Sequence, residues 1–280
     1  EVFYDVVMNQ SHYGNMSDPN VLTDYYARRH TVQFRQQFIS LAKYYLQTVD
    51  LANRALTYPE EYVQSLKERG DLENYERISN FRNNHDKVVE EAKQKVVSLL
   101  NKSLQVMPAS IVLDGGEPQQ TAYIEVDGAR YPRYSDGVLT DYVQAFYEVG
   151  ANAEAEKLGN ELADHYEQAI NFFLNAPAKV VLNEGNHKDF FAALDMYFQL
   201  TGASNDDRLN PNGGLAKRTM SFVDNLLDNR LPTFFSRMET AVLDAGSRSE
   251  KYQWSLYTLK DYIQVLAGDY GLVETAKKGV

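Results

Sequence analysis

The sequence predicts an all-α fold of stacked antiparallel helical hairpins with a small β-hairpin insertion. Apolar residues recur at helical spacing through most of the 280 residues. Proline and glycine fall between these periodic segments, where helices are expected to end. The segment around Asp127-Gly128 differs, because it has the alternation and turn residues of a β-hairpin. Hydrophobic residues make up 44% of the chain, which is enough for a packed core and excludes wholesale disorder.

Composition and charge exclude several classes of function. The formal net charge of −11 argues against nucleic acid and against anionic lipid as partners, because both require clustered Lys and Arg. The absence of cysteine excludes disulfides, thiolate zinc sites and cysteine nucleophiles. No apolar run approaches the roughly 18–20 residues that span a bilayer. The chain begins at Glu1 without a methionine, so we expect it to be a piece of a longer protein.

The first part of the chain is predicted to be an irregular or partly helical lead-in, followed by a long helix. Residues 1–22 include the turn-forming run Asn15-Met16-Ser17-Asp18-Pro19. A helix is then expected over Thr23–Leu51. Its apolar stripe consists of Phe34, Phe38, Leu41 and Tyr45.

A polar insertion at about 57–86 separates this helix from the next long one. Pro59-Glu60-Glu61 is a favourable helix start, and Asp71 after Gly70 could cap a second short helix. The next long helix is predicted over Asp86–Leu104, and Met107-Pro108 ends it because a residue before proline disfavours the helical conformation.

A second insertion, at about 109–135, contains the predicted β-hairpin. Tyr123-Ile124-Glu125-Val126 and Ala129-Arg130-Tyr131 would be its strands. Asp127-Gly128 between them permits the positive φ angles of a tight hairpin turn.

The second half of the chain is predicted to be helical again. A helix from Leu139 ends at Gly150, and its partner over Ala155–Phe173 ends near Pro177. A loop over Gly202–Gly214 and a frayed tail after Gly271 are expected. The remaining helices are predicted at Lys188–Leu200, Leu215–Asp228, Pro232–Ala245 and Glu250–Ala267.

The helix pairs have features of a tetratricopeptide-like right-handed array. In the pair from Leu139, Gly150 lies at the turn, Ala155 follows at the helix crossing, and Pro177 comes after the second helix. The domain organisation predicted from this pattern is a lead-in over 1–22, a tetratricopeptide-like domain over 23–200, and further helices over 201–280 packed on the same array.

We predict no catalytic residue, cofactor or metal ion in this chain. None of the five histidines forms a zinc-binding spacing, and no nucleophile elbow, P-loop or dinucleotide fingerprint occurs. The adjacent acids of Glu60-Glu61 and Glu90-Glu91 diverge by about 100° on a helix, so we interpret them as solvated faces. Asn205-Asp206-Asp207 with Asn210 and Asn212 resembles a calcium loop, but the spacing favours a solvated loop.

Two groups of residues are candidates for a binding surface. Arg28 is spaced for an ion pair with Asp24, and together with Arg29 it could instead contact a membrane region or an anionic sugar phosphate. Tyr123, Tyr131 and Tyr134 cluster around the predicted hairpin. They could stack on sugar rings or grip a peptide, or the hairpin could simply cover the helical core.

The order of these elements resembles a bacterial family of multi-pass membrane proteins. The resemblance rests on Tyr13-Gly14-Asn15-Met16-Ser17-Asp18-Pro19, the Arg28-Arg29 helix, the helix end at Leu104–Pro108 and the Leu139–Phe173 hairpin. This family, long catalogued as of unknown function, belongs to the GT-C glycosyltransferase superfamily and is similar to protein O-mannosyltransferases. The resemblance covers roughly residues 1–200, and both insertions are longer than the family pattern.

The resemblance implies a location and a role. The chain would be the soluble, tetratricopeptide-like C-terminal region of a membrane protein O-glycosyltransferase, on the periplasmic side of the inner membrane. Its partners would be its own N-terminal transmembrane region and an acceptor protein or peptide. The catalytic carboxylate of the family would lie in that membrane region. The alternatives are a glycan-binding helical module that uses tyrosine platforms and, with less support, a soluble hydrolase.

Overall fold

The computed structural model describes the backbone of residues 2–18, 25–110, 119–126, 128–135, 138–182, 184–205 and 213–270. Within these ranges the chain is helical apart from short connections and one two-stranded antiparallel sheet, which confirms the predicted all-α fold with a small β-hairpin. None of the described helices is long and apolar enough to cross a membrane. The tetratricopeptide-like arrangement of the helices stays a prediction.

The elements of the described residues are mostly helices. Two π-helical turns, Val6–Gln10 and Leu226–Arg230, and a 3₁₀ turn, Gly246–Arg248, accompany them. In chain order the elements are α1 (Val2–Asp5), α2 (Tyr25–Thr57), α3 (Glu60–Glu68), α4 (Leu72–Asn83), α5 (His85–Val106), β1 (Gln119–Val126), β2 (Ala129–Ser135), α6 (Leu139–Glu148), α7 (Asn152–Asn175), α8 (Ala178–Val181), α9 (Glu184–Ser204), α10 (Gly214–Asn225), α11 (Leu231–Leu243) and α12 (Ser249–Asp269).

The chain divides into two compact units. Unit 1 comprises residues 1–111 and 145–151, and unit 2 comprises 112–144 and 152–280. The predicted domain boundaries at residues 22 and 200 stay predictions.

Unit 1 is organised by the packing of α2 against α5. Arg35 of α2 is completely buried, and its Nη2 donates to the carbonyl oxygens of Met107, at 2.7 Å, and Pro108, at 2.5 Å. These carbonyls follow the end of α5, where helical carbonyl groups lack partners within the helix and a cation is favourable. The Arg35 side chain therefore joins α2 to the segment that follows α5.

The insertion between these two helices forms α3 and α4; α4 packs on α2, and α3 packs on α4. The prediction that Asp71 caps a helix is confirmed, because its carboxylate accepts from the backbone N–H of Asn74 at the start of α4. Together with Ala55 of α2, apolar residues of the two helices build a small separate core. Its members are Ala55, Val63, Leu66 and Ile78, flanked by Tyr75 and Phe81.

Unit 2 is built around α9. This helix packs against α7, α10, α12 and β2. Most of its side chains from Phe190 to Leu200 are apolar and buried, and they occupy nearly every side of the helix, as expected for a helix enclosed by others. The buried apolar residues of this stretch are Phe190, Phe191, Ala192, Ala193, Leu194, Tyr197, Phe198 and Leu200.

The β-hairpin pairs its two strands in antiparallel register. Ile124 is opposite Tyr131 and Val126 is opposite Ala129, and a bulge between Gln120 and Ala122 shifts the pairing. Gly128 has a φ of 81°, so it supplies the positive φ that the turn prediction required. Both strands are longer than the predicted segments, and β2 lies against α9.

Glycine allows α7 and α10 to approach closely. A Cβ atom on Gly159 of α7 would lie 2.1 Å from Cδ2 of Leu215 of α10, whose side chain is completely buried. Such a distance is far inside van der Waals contact, so Gly159 is required for this helix contact.

The predicted helices are present with shifted ends. The Asp86–Leu104 helix is α5, and the helix predicted over Lys188–Leu200 extends as α9 from Glu184 to Ser204. The Leu139 and Ala155 helices are α6 and α7. Most of the predicted 202–214 loop and the tail after Gly271 lie outside the described residues.

We expect Gly159→Ala to destabilise unit 2 and Gly202→Ala to stabilise it, although both glycines lie in helices. Alanine gains about 1 kcal/mol of helix propensity at either position. At Gly159, overpacking against Leu215 costs about 1–3 kcal/mol, which offsets that gain and leaves a net loss of up to about 2 kcal/mol. At Gly202, the added methyl would lie 3.7 Å from Tyr270, an ordinary contact.

Urea unfolding followed by the fluorescence of Trp254, the single tryptophan, reports on unit 2 directly. Equal midpoints for the two variants would contradict the close approach of α7 and α10.

Candidate functional site

The tyrosines predicted as a binding surface have three different environments. Tyr134 is buried, Tyr131 is half-buried and Tyr123 is exposed. The hydroxyl of Tyr131 donates to the carboxylate of Asp261 on α12. The ring of Tyr123 lies under the guanidinium of Arg130, its diagonal neighbour on the other strand, 5.8 Å from ring centroid to Cζ. The hairpin thus presents the Tyr123 ring to solvent and turns the other two towards the helices of unit 2.

Asp195 of α9 holds the hairpin in place. Its side chain is completely buried, and Oδ2 accepts from the backbone N–H of Tyr134 at 2.7 Å. Oδ1 accepts from the hydroxyl of Tyr270 at 3.2 Å and lies 3.2 Å from Nε of Arg133. The amide of Gln199, one turn later on α9, donates to the carbonyl oxygen of Tyr134 at 2.8 Å. Residues of α9 therefore bond both backbone polar groups of Tyr134.

Burial away from water shifts the pKa values of Asp195 and of the tyrosines around it. Burial raises the pKa of Asp195, while the N–H of Tyr134 and the guanidinium of Arg133 oppose that shift. Burial and the nearby Asp195 raise the pKa of Tyr134 to about 12. The same causes raise the pKa of Tyr262 and Tyr270. These phenols stay protonated at neutral pH. Tyr270 donates to Asp195 as described above, and Tyr262 donates to the carbonyl oxygen of Pro132 at 3.0 Å.

The other residues of the predicted sites lie largely outside the described part. Asp24 lies there, as do the side chains of Arg28 and Arg29 in the first turns of α2. Most of the loop from Asn205 to Asn212, predicted as solvated, also lies there. Among the described residues, no group of three or more His, Asp or Glu side chains could hold a metal ion.

The N-terminal segment, Val2–Asp18, is fastened to α2. The ring of Tyr13 packs against Phe34 and Phe38, with centroids at 6.1 and 5.6 Å, and its hydroxyl donates to the carbonyl oxygen of Val7 at 2.9 Å. Sδ of Met16 accepts from the hydroxyl of Thr31 at 3.2 Å. Gly14 between them has a φ of 65°, which permits the reversal of the chain.

A second anchor lies at the other end of this segment. The Tyr4 ring meets the Tyr45 ring edge to face, with centroids 5.9 Å apart. The ammonium of Lys95 on α5 lies over both rings, 5.7 Å and 5.1 Å from their centroids. The contact between the segment and α2 is therefore fixed near both ends.

A groove of about 1000 Å³ lies between the N-terminal segment and α2, entirely within unit 1. Val2, Phe3 and Tyr44 are among its exposed members, with exposed fractions of 79%, 78% and 61%. The described residues that line the groove carry no charged side chain. They are Val2, Phe3, Tyr4, Val6, Val7, Ser11, Gln33, Gln36, Gln37, Ser40, Leu41, Tyr44 and Tyr45.

The lining matches an uncharged, partly apolar ligand. The volume of the groove lies at the upper end of the range of about 300–1000 Å³ that ligand pockets have. Aliphatic and aromatic side chains provide apolar contact area, and exposed apolar surface of this kind marks binding sites. The three glutamine amides along α2 each offer donors and an acceptor, as a peptide backbone does.

The groove itself is not predicted from the sequence. Of its lining, Leu41 and Tyr45 belong to the predicted apolar stripe of α2, and Val2 to Ser11 belong to the predicted lead-in. The signal for the groove is a second stripe on α2, in which Gln33, Gln37 and Tyr44 recur at helical spacing beside the first. The role of Asp195 is not predictable from the sequence, because the pattern around one acidic residue does not show which distant groups it contacts.

Comparison of the chain with protein-family models, with curated proteins and with solved structures finds no match. The resemblance to the glycosyltransferase family therefore stays an expectation from the residues that carry it.

We expect Asp195→Ala to lower the free energy of unfolding of unit 2 by about 3–5 kcal/mol. The substitution leaves the buried N–H of Tyr134 without its acceptor and removes the carboxylate facing Arg133. Asp195→Asn keeps an acceptor oxygen, so its loss should be smaller. Urea unfolding monitored by Trp254 fluorescence measures both.

The matched control is Asp189→Ala, an exposed acid on the same helix, for which a change within about 0.5 kcal/mol is expected. If Asp195→Ala were as mild as this control, the attachment of the hairpin through Asp195 would be wrong.

Proposed function

We propose that this chain is a non-catalytic helical binding domain of a membrane protein O-glycosyltransferase, placed on the periplasmic side of the membrane. In this proposal the groove of unit 1 holds an uncharged stretch of the acceptor polypeptide. The observation that carries the binding role is the groove itself, about 1000 Å³ in volume and lined by exposed aromatic, aliphatic and glutamine side chains. The resemblance of the sequence to the glycosyltransferase family supports the proposed parentage.

Charge complementarity favours an uncharged occupant. The chain has a formal net charge of −11, yet the described groove lining has no charged side chain. A charged segment entering this groove would lose hydration without gaining an ion pair. An apolar stretch with an available peptide backbone would fill the volume and could bond the amides of Gln33, Gln36 and Gln37.

Glycan recognition by the hairpin tyrosines, the alternative function, has less support. Tyr134 is buried and Tyr131 bonds Asp261, so these two rings face the helices of unit 2. Tyr123 remains as one exposed ring, with Arg130 over it. A platform for a sugar chain generally needs more than one accessible ring.

Peptide selection tests the groove. We expect display selection of random 12-residue peptides on this protein to enrich uncharged sequences rich in apolar residues. Tyr44→Ala should weaken a selected peptide about 10-fold because it removes an exposed aromatic anchor. Gln37→Glu should weaken it comparably by placing a charge in the groove. Fluorescence polarisation of the labelled peptide measures both effects.

Gln47→Glu is the matched control, since Gln47 is an exposed glutamine of α2 outside the groove lining, and it should bind as the unchanged protein does. Enrichment of charged peptides, or equal affinities for the Gln37 and Gln47 variants, would count against the proposal. Peptides that bind but fail to compete with acceptor modification by the full-length enzyme would assign the groove to another occupant, such as the enzyme's own membrane region.

A further inference from the structure

A second pocket, separate from the groove, lies within unit 2. It has a volume of about 290 Å³ and is formed where β2, the beginning of α6 and the last turns of α9 meet. Arg133 and Gln199, which fasten the hairpin, also line this pocket, and Tyr270 closes one side. Each of these side chains is held by bonds described above. The pocket wall is therefore fixed before any ligand enters, which lowers the entropic cost of binding.

The wall contributed by α6 is polar as well. Thr140, Asp141 and Gln144 line the pocket along the first turns of this helix. Val138, just before the helix, has a φ of 69°, a backbone conformation that β-branched residues rarely adopt and that is found preferentially near ligand sites. Hydroxyl, carboxylate, amide and guanidinium groups thus surround one small volume.

The charges around the pocket disfavour an anion and place a like charge beside a cation. The carboxylate of Asp141 is in the lining, and those of Asp195 and Asp269 lie directly behind it against Arg133. An anion would face three carboxylates and one guanidinium, so binding it is unfavourable. A cation would face the guanidinium of Arg133 in the lining itself.

The hydrogen-bonding groups fit a ligand that both donates and accepts. Carboxylate oxygens only accept, guanidinium N–H groups only donate, and amides do both. A hydroxyl group can satisfy either kind of partner, so several hydroxyl groups on one small framework match this mixture. The volume is below that of most drug-sized pockets, which limits the occupant to a single small unit.

We propose that this pocket binds one small uncharged polyhydroxy molecule, of the size of a single sugar unit. Gln144 and Asp141 would bond its hydroxyl groups from α6, and Arg133 and Gln199 from the opposite side. The glycine at position 202 leaves room beside the Tyr270 ring, since a Cβ atom there would lie 3.7 Å from Cδ1 of that ring. This site is distinct from the groove of unit 1 and does not depend on the proposed function.

Titration with sugars tests the site. Free glucose, mannose and galactose and their methyl glycosides are added to the whole chain, and binding is followed by ¹H–¹⁵N NMR. We expect saturable shifts at Gln144, Gln199 and Gly202 for at least one sugar, with a dissociation constant on the order of 1 mM for so small a ligand. If the methyl glycoside binds, the ligand of this pocket is the end of a glycan. If only the reducing sugar binds, the ligand is a free sugar.

Three variants and one control show where the sugar binds. Gln144→Ala removes an exposed amide and should weaken binding about 3- to 10-fold. Gly202→Leu fills the pocket and should abolish the shifts, while Gly202→Ala should give an intermediate loss in a protein that is at least as stable. Gln168→Ala, an exposed glutamine of α7 outside the pocket, should bind normally.

The proposal is overturned if no sugar gives saturable shifts, or if Gln144→Ala and Gln168→Ala bind equally. It is also overturned if inorganic phosphate or tetramethylammonium shifts these resonances at lower concentration than every sugar. Because none of these variants lies in unit 1, their outcome is independent of peptide binding in the groove.

Discussion

The buried carboxylate of Asp195 is the group on which the arrangement of unit 2 depends. A charge buried among apolar side chains is costly unless hydrogen bonds and an opposite charge accompany it. Here the compensation comes from the N–H of Tyr134, the hydroxyl of Tyr270 and the guanidinium of Arg133. Those partners lie on the hairpin and directly after α12. One residue of α9 therefore fixes the positions of the hairpin and of Tyr270.

This attachment changes what the hairpin can do. A hairpin with free tyrosines could close on a sugar or a peptide, but this one has its second strand bonded to α9 through both backbone groups of Tyr134. Its polar residues instead form part of a fixed pocket. In unit 1 the anchors are aromatic rings: Tyr13 and Tyr4 fasten the N-terminal segment to α2, and a groove remains between the segment and the helix. In both units, aromatic anchors shape a concavity.

Local features of the fold were predictable from the sequence, whereas the sites were not. The cap at Asp71 and the turn at Gly128 depend on neighbours within a few residues, so their chemistry is visible in the local pattern. The helices followed from apolar periodicity. Asp195 bonds a residue 61 positions away, and Arg35 bonds the carbonyl of Met107, 72 positions away. Such partners depend on tertiary packing, which one sequence does not reveal. Gly159 likewise is only an unfavourable residue for a helix when judged from the sequence, because its contact with Leu215 is tertiary.

Amide hydrogen exchange at Tyr134 tests most directly whether the hairpin is a fixed part of unit 2. The N–H of Tyr134 points to Asp195 and away from the other strand, so only the attachment to α9 can protect it from exchange. We expect this amide to exchange as slowly as the amides in the middle of α9. Exchange as fast as that of an exposed loop would show that the hairpin is a free arm and would contradict its attachment through Asp195.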